Sequence, residues 1–392
     1  MEEKYAFDCI TPQLKHLRFC GYYQLDPNTP KYFNILHKIY MRFSLILITV
    51  FAIQEAVHIF NVQDDREKMI NVLFLFLTHT DSIYKQAVFW LKEDKIEGLL
   101  DTMRGPIYNQ GQPEHRMYFQ PLRRIGSLLL RVDNGMALMT CFLWMLLPVI
   151  GHIQSRTIEF SFWVPYDYNR DPHFYFTAIY VWVTESWQAF GNTTMDIFIA
   201  VLLAQCKIQI QILRFELTNL VKRSKDLAQE SDEPFEEALK QRFEMLVLHH
   251  WKILDFVNVV QEIYGGAIFY QFLVGGWIIC TSVYKMADLN PASVEFVSMT
   301  TYMFCILTEI FVYCYYGSEL TNESDMLTNA VYFMDWLEIS PLDRKKIIIL
   351  MERVKRPIVP IAGNLIPLSN VTFVKVVKSS YSFFALLKAT NE

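Results

Sequence analysis

Stretches of mainly apolar residues, each long enough to cross a bilayer at about 20 residues, recur seven times along the chain between polar connections. They lie near 40–60, 69–91, 128–153, 174–205, 262–284, 294–316 and 364–387. The third holds Gly135-Met-Ala-Leu-Met-Thr-Cys-Phe-Leu-Trp-Met-Leu-Leu-Pro-Val-Ile-Gly151 without a charge. Others carry ionisable residues: Asp81 with Lys85 in the second, Glu185 with Asp196 in the fourth, Lys375 with Lys378 in the seventh. The pattern predicts an all-α membrane protein of seven transmembrane helices.

The polar connections are patterned too. Beyond the fourth span, Ile208, Ile212, Phe215 and Val221 continue a helical stripe out of the bilayer. Asp232-Glu233-Pro234 reads as a helix start, with acids ahead of a first-turn proline. Met326, Leu327, Ala330, Val331, Met334 and Leu337 share one helical face. Ser340-Pro341-Leu342-Asp343 can cap a further helix that ends before Pro357. These stripes predict helices that protrude from the bilayer and pack either within the chain or against another subunit.

Charge sets the orientation. Alternate connections hold 25 Lys and Arg on one side and 6 on the other. By the positive-inside rule the N-terminus is cytoplasmic and, after seven crossings, the C-terminus is extracellular. This divides the chain into a cytoplasmic segment 1–39, spans one to four within 40–205, spans five and six with a cytoplasmic helical anchor region within 206–363, and the last span within 364–392. No apolar stretch occupies the first 30 residues, which start Met1-Glu2-Glu3-Lys4, so no cleavable signal peptide is expected. A net charge of -5 offers no field for nucleic acid, and 52% hydrophobic content excludes a disordered chain.

Chemistry-bearing motifs are sparse. The seven cysteines are odd in number and lack metal spacing, so neither a disulfide framework nor a zinc site is indicated. Glu55-x-x-His58 has the spacing of a di-iron bundle motif but no second copy, and His249-His250 has no partner at helical spacing. No Gly-rich phosphate loop, GxSxG or HExxH occurs. The chain is therefore expected to be neither an enzyme nor a cofactor or metal carrier. Charges within spans are instead expected to pair: Asp81 with Lys85 at i, i+4, and Asp133, Glu185, Asp196, Glu262 and Glu309 across helices. Aromatic and sulfur residues crowd the outer halves of several spans, and Ala137, Thr140 and Trp144 form a small-small-large stripe that leaves space beside an indole.

In its C-terminal third the sequence resembles the insect odorant receptor family. The matching series runs Val312-Tyr-Cys-Tyr-Tyr-Gly317-Ser-Glu-Leu320, Glu323-Ser324 and Ala330-Val-Tyr332-Phe-Met-Asp-Trp336, then Met351-Glu-Arg353, Arg356-Pro357, Ala362-Gly363, Pro367-Leu-Ser369, Thr372-Phe373 and Ser379-Ser-Tyr381-Ser-Phe-Phe. The resemblance implies a subunit of a ligand-gated, non-selective cation channel in the plasma membrane of olfactory sensory neuron dendrites. Four subunits would surround a pore lined by the seventh span. Lacking the long insertion of the co-receptor between spans four and five, this chain looks like the tuning subunit, partnered by the odorant receptor co-receptor and by membrane lipid. It would bind a small volatile odorant among spans two, three, four and six. Phe74, Leu77, Ala137, Thr140, Trp144, Thr184, Trp187, Met299 and Tyr302 are the expected ligand contacts. Val371, Val374, Lys375, Lys378, Ser379 and Ser382 are the expected pore face, where the two lysines stand in place of apolar gate residues. A metabotropic seven-helix receptor is disfavoured by the orientation and by the lack of Asp-Arg-Tyr and Asn-Pro-x-x-Tyr. A transporter is disfavoured by the lack of paired half-repeats.

Overall fold

The computed structural model describes residues 5–26, 29–109, 113–287 and 289–391, so Met1-Glu2-Glu3-Lys4 lies outside the described residues. Within them the helices are α1 (Tyr5–Asp8), α2 (Thr11–Phe19), α3 (Lys31–Asn61), α4 (Arg66–Leu91), α5 (Glu93–Arg104), α6 (Arg116–Ile153) and α7 (His173–Thr218). They continue with α8 (Leu220–Ser231), α9 (Phe235–Ala287), α10 (Val294–Asp325), α11 (Leu327–Tyr332), α12 (Pro341–Val354) and α13 (Asn370–Asn391). A two-stranded antiparallel hairpin, β1 (Ile361–Ala362) and β2 (Ile366–Pro367), precedes the last helix.

The seven expected spans correspond to α3, α4, α6, α7, α9, α10 and α13. Among the described residues, five stretches are long and apolar enough to cross a membrane by length and composition: Lys31–Asn61, Arg116–Ile153, His173–Thr218, Phe235–Ala287 and Val294–Tyr332. The other two are less apolar, but at 26 and 22 residues they reach about 39 and 33 Å, the depth of the hydrocarbon core. α7 and α9, with 46 and 53 residues, are about 69 and 80 Å long, more than twice that depth, and extend beyond the bilayer. α7 is the central helix, enclosed by α4, α6, α9 and α10.

Beyond the bilayer at the basic, lower end, the patterned connections fold as local chemistry dictates. Ser340 Oγ accepts from Asp343 N at 3.2 Å and caps α12, and α9 starts one residue after Pro234. The stripe from Met326 to Leu337 does not form one continuous helix. Leu327, Ala330, Val331 and Met334 are buried, but α11 stops at Tyr332, and Leu337 is 91% exposed. The stop has a cause: the Trp336 indole N–H donates to the carbonyls of Val331 (3.1 Å) and Tyr332 (3.0 Å), satisfying groups that a longer helix would have used.

The motif residues of the C-terminal third clamp the approach to α13. Gly363, at a φ of 56°, turns the hairpin and donates its N–H to Gly265 O at 2.8 Å; a Cβ there would lie 2.8 Å from the Phe269 ring. Gly317 lets Leu368 cross α10, where a Cβ would meet the Leu368 carbonyl oxygen at 2.5 Å. Ser369 then caps α13, its Oγ accepting from Thr372 N at 3.2 Å.

Candidate functional site

Two chambers lie one above the other between α4, α6, α7 and α10. The inner chamber is a cavity of about 60 Å³. Its walls are Leu75, Thr78, His79 and Ser82 of α4, Ala137, Thr140, Cys141 and Trp144 of α6, Glu185, Gln188, Ala189, Asn192 and Thr193 of α7, and Tyr302, Cys305, Ile306 and Glu309 of α10. The outer chamber, about 400 Å³, opens towards the upper end among Phe51, Phe74, Trp144, Met145, Trp182, Lys285 and Met299. Leu75, Cys141, Trp144 and Glu185 belong to both and form the partition. Phe74, Trp144 and Tyr302 pack on one another there with ring centroids 5.1–6.2 Å apart.

The connection between α6 and α7 roofs the outer chamber. Phe160 and Phe162 pack with Phe51 and Phe174 in a separate apolar cluster, and Trp163 N donates to Gln54 O at 3.1 Å. Glu159, on that roof, is bridged by Lys68 at 2.6 Å.

The inner chamber is more polar than aromatic density alone suggests. Glu55 does not pair with His58; its carboxylate meets His79 Nδ1 at 2.6 Å, while His79 Nε2 faces Glu185 at 3.2 Å. The imidazole thus bridges a carboxyl group of α3 and one of α7. These three residues are also the group, among the described residues, whose ligand atoms lie within 4.8 Å of one another, as a metal ion would require. Thr78 and Tyr302 share a hydrogen bond at 2.6 Å, and Thr140 donates to Thr301 at 2.9 Å.

An ionic network forms the floor. Lys85 Nζ lies 2.8 Å from Asp81 and 2.7 Å from Asp196, and donates to Asn192 Oδ1 at 3.2 Å. Asn192 and Gln271 donate to Glu309 at 3.2 and 3.0 Å, and Tyr313 donates to Asp196. The expected i, i+4 pair is thus present but is one edge of a network joining α4, α7, α9 and α10. Glu262, expected within a span, is instead exposed and bridged by Lys95. Asp133 is buried with neither carboxylate oxygen hydrogen-bonded among the described residues.

Of the expected ligand contacts, Ala137, Thr140, Trp144 and Tyr302 line the inner chamber, and Phe74, Trp144 and Met299 the outer one. Leu77, Thr184 and Trp187 line neither. The reason is helical phase: on α7 the inward stripe is Glu185, Gln188, Ala189 and Asn192, one position beyond Thr184 and Trp187. The Trp187 indole donates instead to Cys20 O at 3.2 Å, against the N-terminal segment. That polar i, i+3, i+7 stripe was the legible signal for Glu185, Gln188 and Asn192. The expected pore residues Val371, Val374, Lys375, Lys378, Ser379 and Ser382 are all exposed. α13 packs by its other face on α9 and α10, with Thr372 and Ser380 buried.

A chamber with a few fixed polar groups, enclosed by membrane-crossing helices, has the form of a small-molecule site in a multi-span membrane protein. The family model for the 7tm odorant receptor matches residues 65–381, and the chain belongs to that family. It is 28% identical to Odorant receptor 94a of Drosophila melanogaster over 335 residues, covering 83% of this chain and 82% of that one. It is 23% identical to Odorant receptor Or1 of Anopheles gambiae over 370 residues, covering 88% and 86%. Among solved structures, the olfactory receptor OR5 of Machilis hrabei in complex with eugenol superposes with a TM-score of 0.83 at 15% identity, over 97% of each chain. Family membership makes the chain a membrane receptor rather than an enzyme.

Proposed function

We propose that this chain is the odorant-tuning subunit of a ligand-gated, non-selective cation channel, working with the odorant receptor co-receptor in the plasma membrane of olfactory sensory neuron dendrites. The observation that carries the reading is the pair of chambers set between α4, α6, α7 and α10, on a floor hydrogen-bonded to α9, which packs on α13. A ligand that moves Trp144 or Glu185 would disturb Asn192 and Glu309, and through Gln271 the helix on which α13 rests. Residues 40–205 would then supply most of the ligand site, 206–363 the anchor and 364–392 the pore helix.

Two uncovered surfaces support assembly. One is the outward face of α13, where Val371 is 64% exposed beside Lys375 and Lys378. The other is the lower end, where Val247, Leu248, Trp251, Leu342, Ile348 and Ile349 are exposed on α9 and α12, more apolar surface than a solitary protein leaves in water. Four copies of a lysine-bearing pore face would repel cations, so the mixed assembly is the conducting one. The N-terminus is taken as cytoplasmic, with the basic lower end inside.

The test is current recording from excised patches of cells expressing this chain with the co-receptor, alone and together, against a panel of volatiles without added nucleotides. Odorant-gated current from the pair and little from this chain alone is the expected result. Odorant responses that need soluble nucleotides, or full currents from this chain alone, would overturn the reading.

A further inference from the structure

Among the described residues that line the inner chamber, Ser82 and Gln188 are buried with side-chain polar atoms that have no hydrogen-bond partner, and Gln188 is the larger, with a donor and an acceptor both unused. Gln188 is 2% exposed, faces the cavity, and has neither Nε2 nor Oε1 hydrogen-bonded among the described residues. An amide buried without partners costs free energy that a bound group returns when it supplies both a donor and an acceptor. His79, Thr78, Tyr302, Thr140 and Asn192, by contrast, are bonded to neighbouring residues.

The complement follows by elimination. A ketone, ester or ether only accepts and leaves Oε1 unpaired. An ammonium only donates and leaves Nε2 unpaired. A carboxylic acid is ionised in water at neutral pH, and because Glu185 and Glu309 line the same cavity and repel a carboxylate, it enters only by first taking up a proton, at a cost a hydroxyl does not bear. A hydroxyl both donates and accepts. Size adds a second constraint: about 60 Å³ takes a small polar head and no more, while the adjoining chamber of about 400 Å³ takes an apolar body. The partition between them, Trp144, Leu75, Cys141 and Glu185, is where the two parts of one molecule would meet.

We propose that this receptor selects small hydroxyl-bearing compounds, phenols or short alcohols, with the hydroxyl on Gln188 in the inner chamber and the apolar body in the outer one. This rests on the reading of the chambers as the ligand site and adds the chemical class.

The test is equilibrium binding to the purified full-length chain in lipid nanodiscs, with empty nanodiscs subtracted. The probes are phenol against toluene, and benzyl alcohol against ethylbenzene and benzylamine, sets of nearly equal shape. The hydroxyl member should bind about tenfold tighter than its methyl counterpart, the factor that one neutral hydrogen bond supplies. In Gln188→Leu the ratio should fall to near one; Gln188→Met is the second variant if the branched side chain disturbs packing. Removing an unpartnered amide should not lower the unfolding temperature of the empty protein. A wild-type preference for the hydrocarbon or the ammonium, a hydroxyl preference that survives both variants, or no saturable binding of any probe, as when Gln188 holds water alone, would each overturn the proposal. Because the readout is binding, a hydroxyl preference without odorant-gated current would strike the channel reading alone.

Discussion

Replacing Lys85 by Met tests how much of this bundle is held by charge. The Lys85 ammonium is 1% exposed and touches Asp81, Asp196 and Asn192. Methionine keeps most of the side-chain volume, so the change removes one charge and leaves the packing. Counting only lost hydrogen bonds, the cost would be about 3 kcal/mol for three contacts. The larger effect is the two carboxylates left facing each other at 6% and 0% exposure; breaking a buried pair from one side costs about 3–5 kcal/mol. Spread over the unfolding entropy of a chain of this length, that is a drop of about 5 °C in unfolding temperature. The structure also sets the order of the partners. Asp81→Asn leaves Asp196 to hold the ammonium and should be mild. Asp196→Asn also weakens the Tyr313 contact and should be severe. Lys85→Met with Asp196→Asn should recover part of the loss, because the residual carboxylate pair is gone. Thermal unfolding in nanodiscs, read together with surface labelling in cells, measures all four variants. A Lys85→Met protein within 1 °C of wild type, or a double variant whose loss is the plain sum of the two singles, would refute the argument that desolvated charge dominates here.

Trp144→Ala removes the partition between the chambers, and with it part of an aromatic surface whose burial is worth about 2 kcal/mol or more; half-maximal odorant concentration should rise about tenfold while surface level holds, as dose–response currents will show. Lys378→Gln should change unitary conductance or ion preference of the mixed channel without reordering the odorants; if only surface level falls, Lys378 holds subunits together instead. Asn322 of the sequon Asn322-Glu323-Ser324 is exposed on α10 and, on the cytoplasmic side, should carry no glycan; a glycan found there by mass spectrometry reverses the orientation. His249 is buried at the lower end with a ring nitrogen 2.8 Å from Gln209 Oε1, and burial, with His115 and His250 nearby, holds it at about 3. Its folded value lies below the unfolded one, so stability is full above pH 6.5 and falls as the solution is acidified towards that lower value, by up to about 1.4 kcal/mol per pH unit. His249→Gln should flatten the fall in unfolding temperature between pH 7 and 5.

Hydrophobic periodicity alone gave seven spans, because a bilayer accepts only backbone that satisfies its own hydrogen bonds, and that restricts apolar runs of this length to helices. Other local signals carried further: the stripe from Ile208 to Val221 took the fourth-span helix out of the bilayer, Ser340-Pro341-Leu342-Asp343 read as a helix cap, and the i, i+4 spacing paired Asp81 with Lys85. Periodicity marked Trp144, Ala137 and Thr140 as one stripe, and the stripe does face a cavity. Other features depended on the assembled bundle. Thr184 and Trp187 carry the residue types of a pocket, but a helix advances about 100° per residue, and the rotation of α7 against α4, α6 and α10 brings Glu185 and Gln188 inward in their stead. Glu55 has a histidine three positions away on its own helix and bonds to His79 of another. The end of α11 was set by an indole folding back on two carbonyls. In each case the sequence determines which side chains share a helical face, since that follows from local geometry. Which face turns inward, and what it meets there, is decided by packing among helices distant in the chain, and only the tertiary structure contains that information.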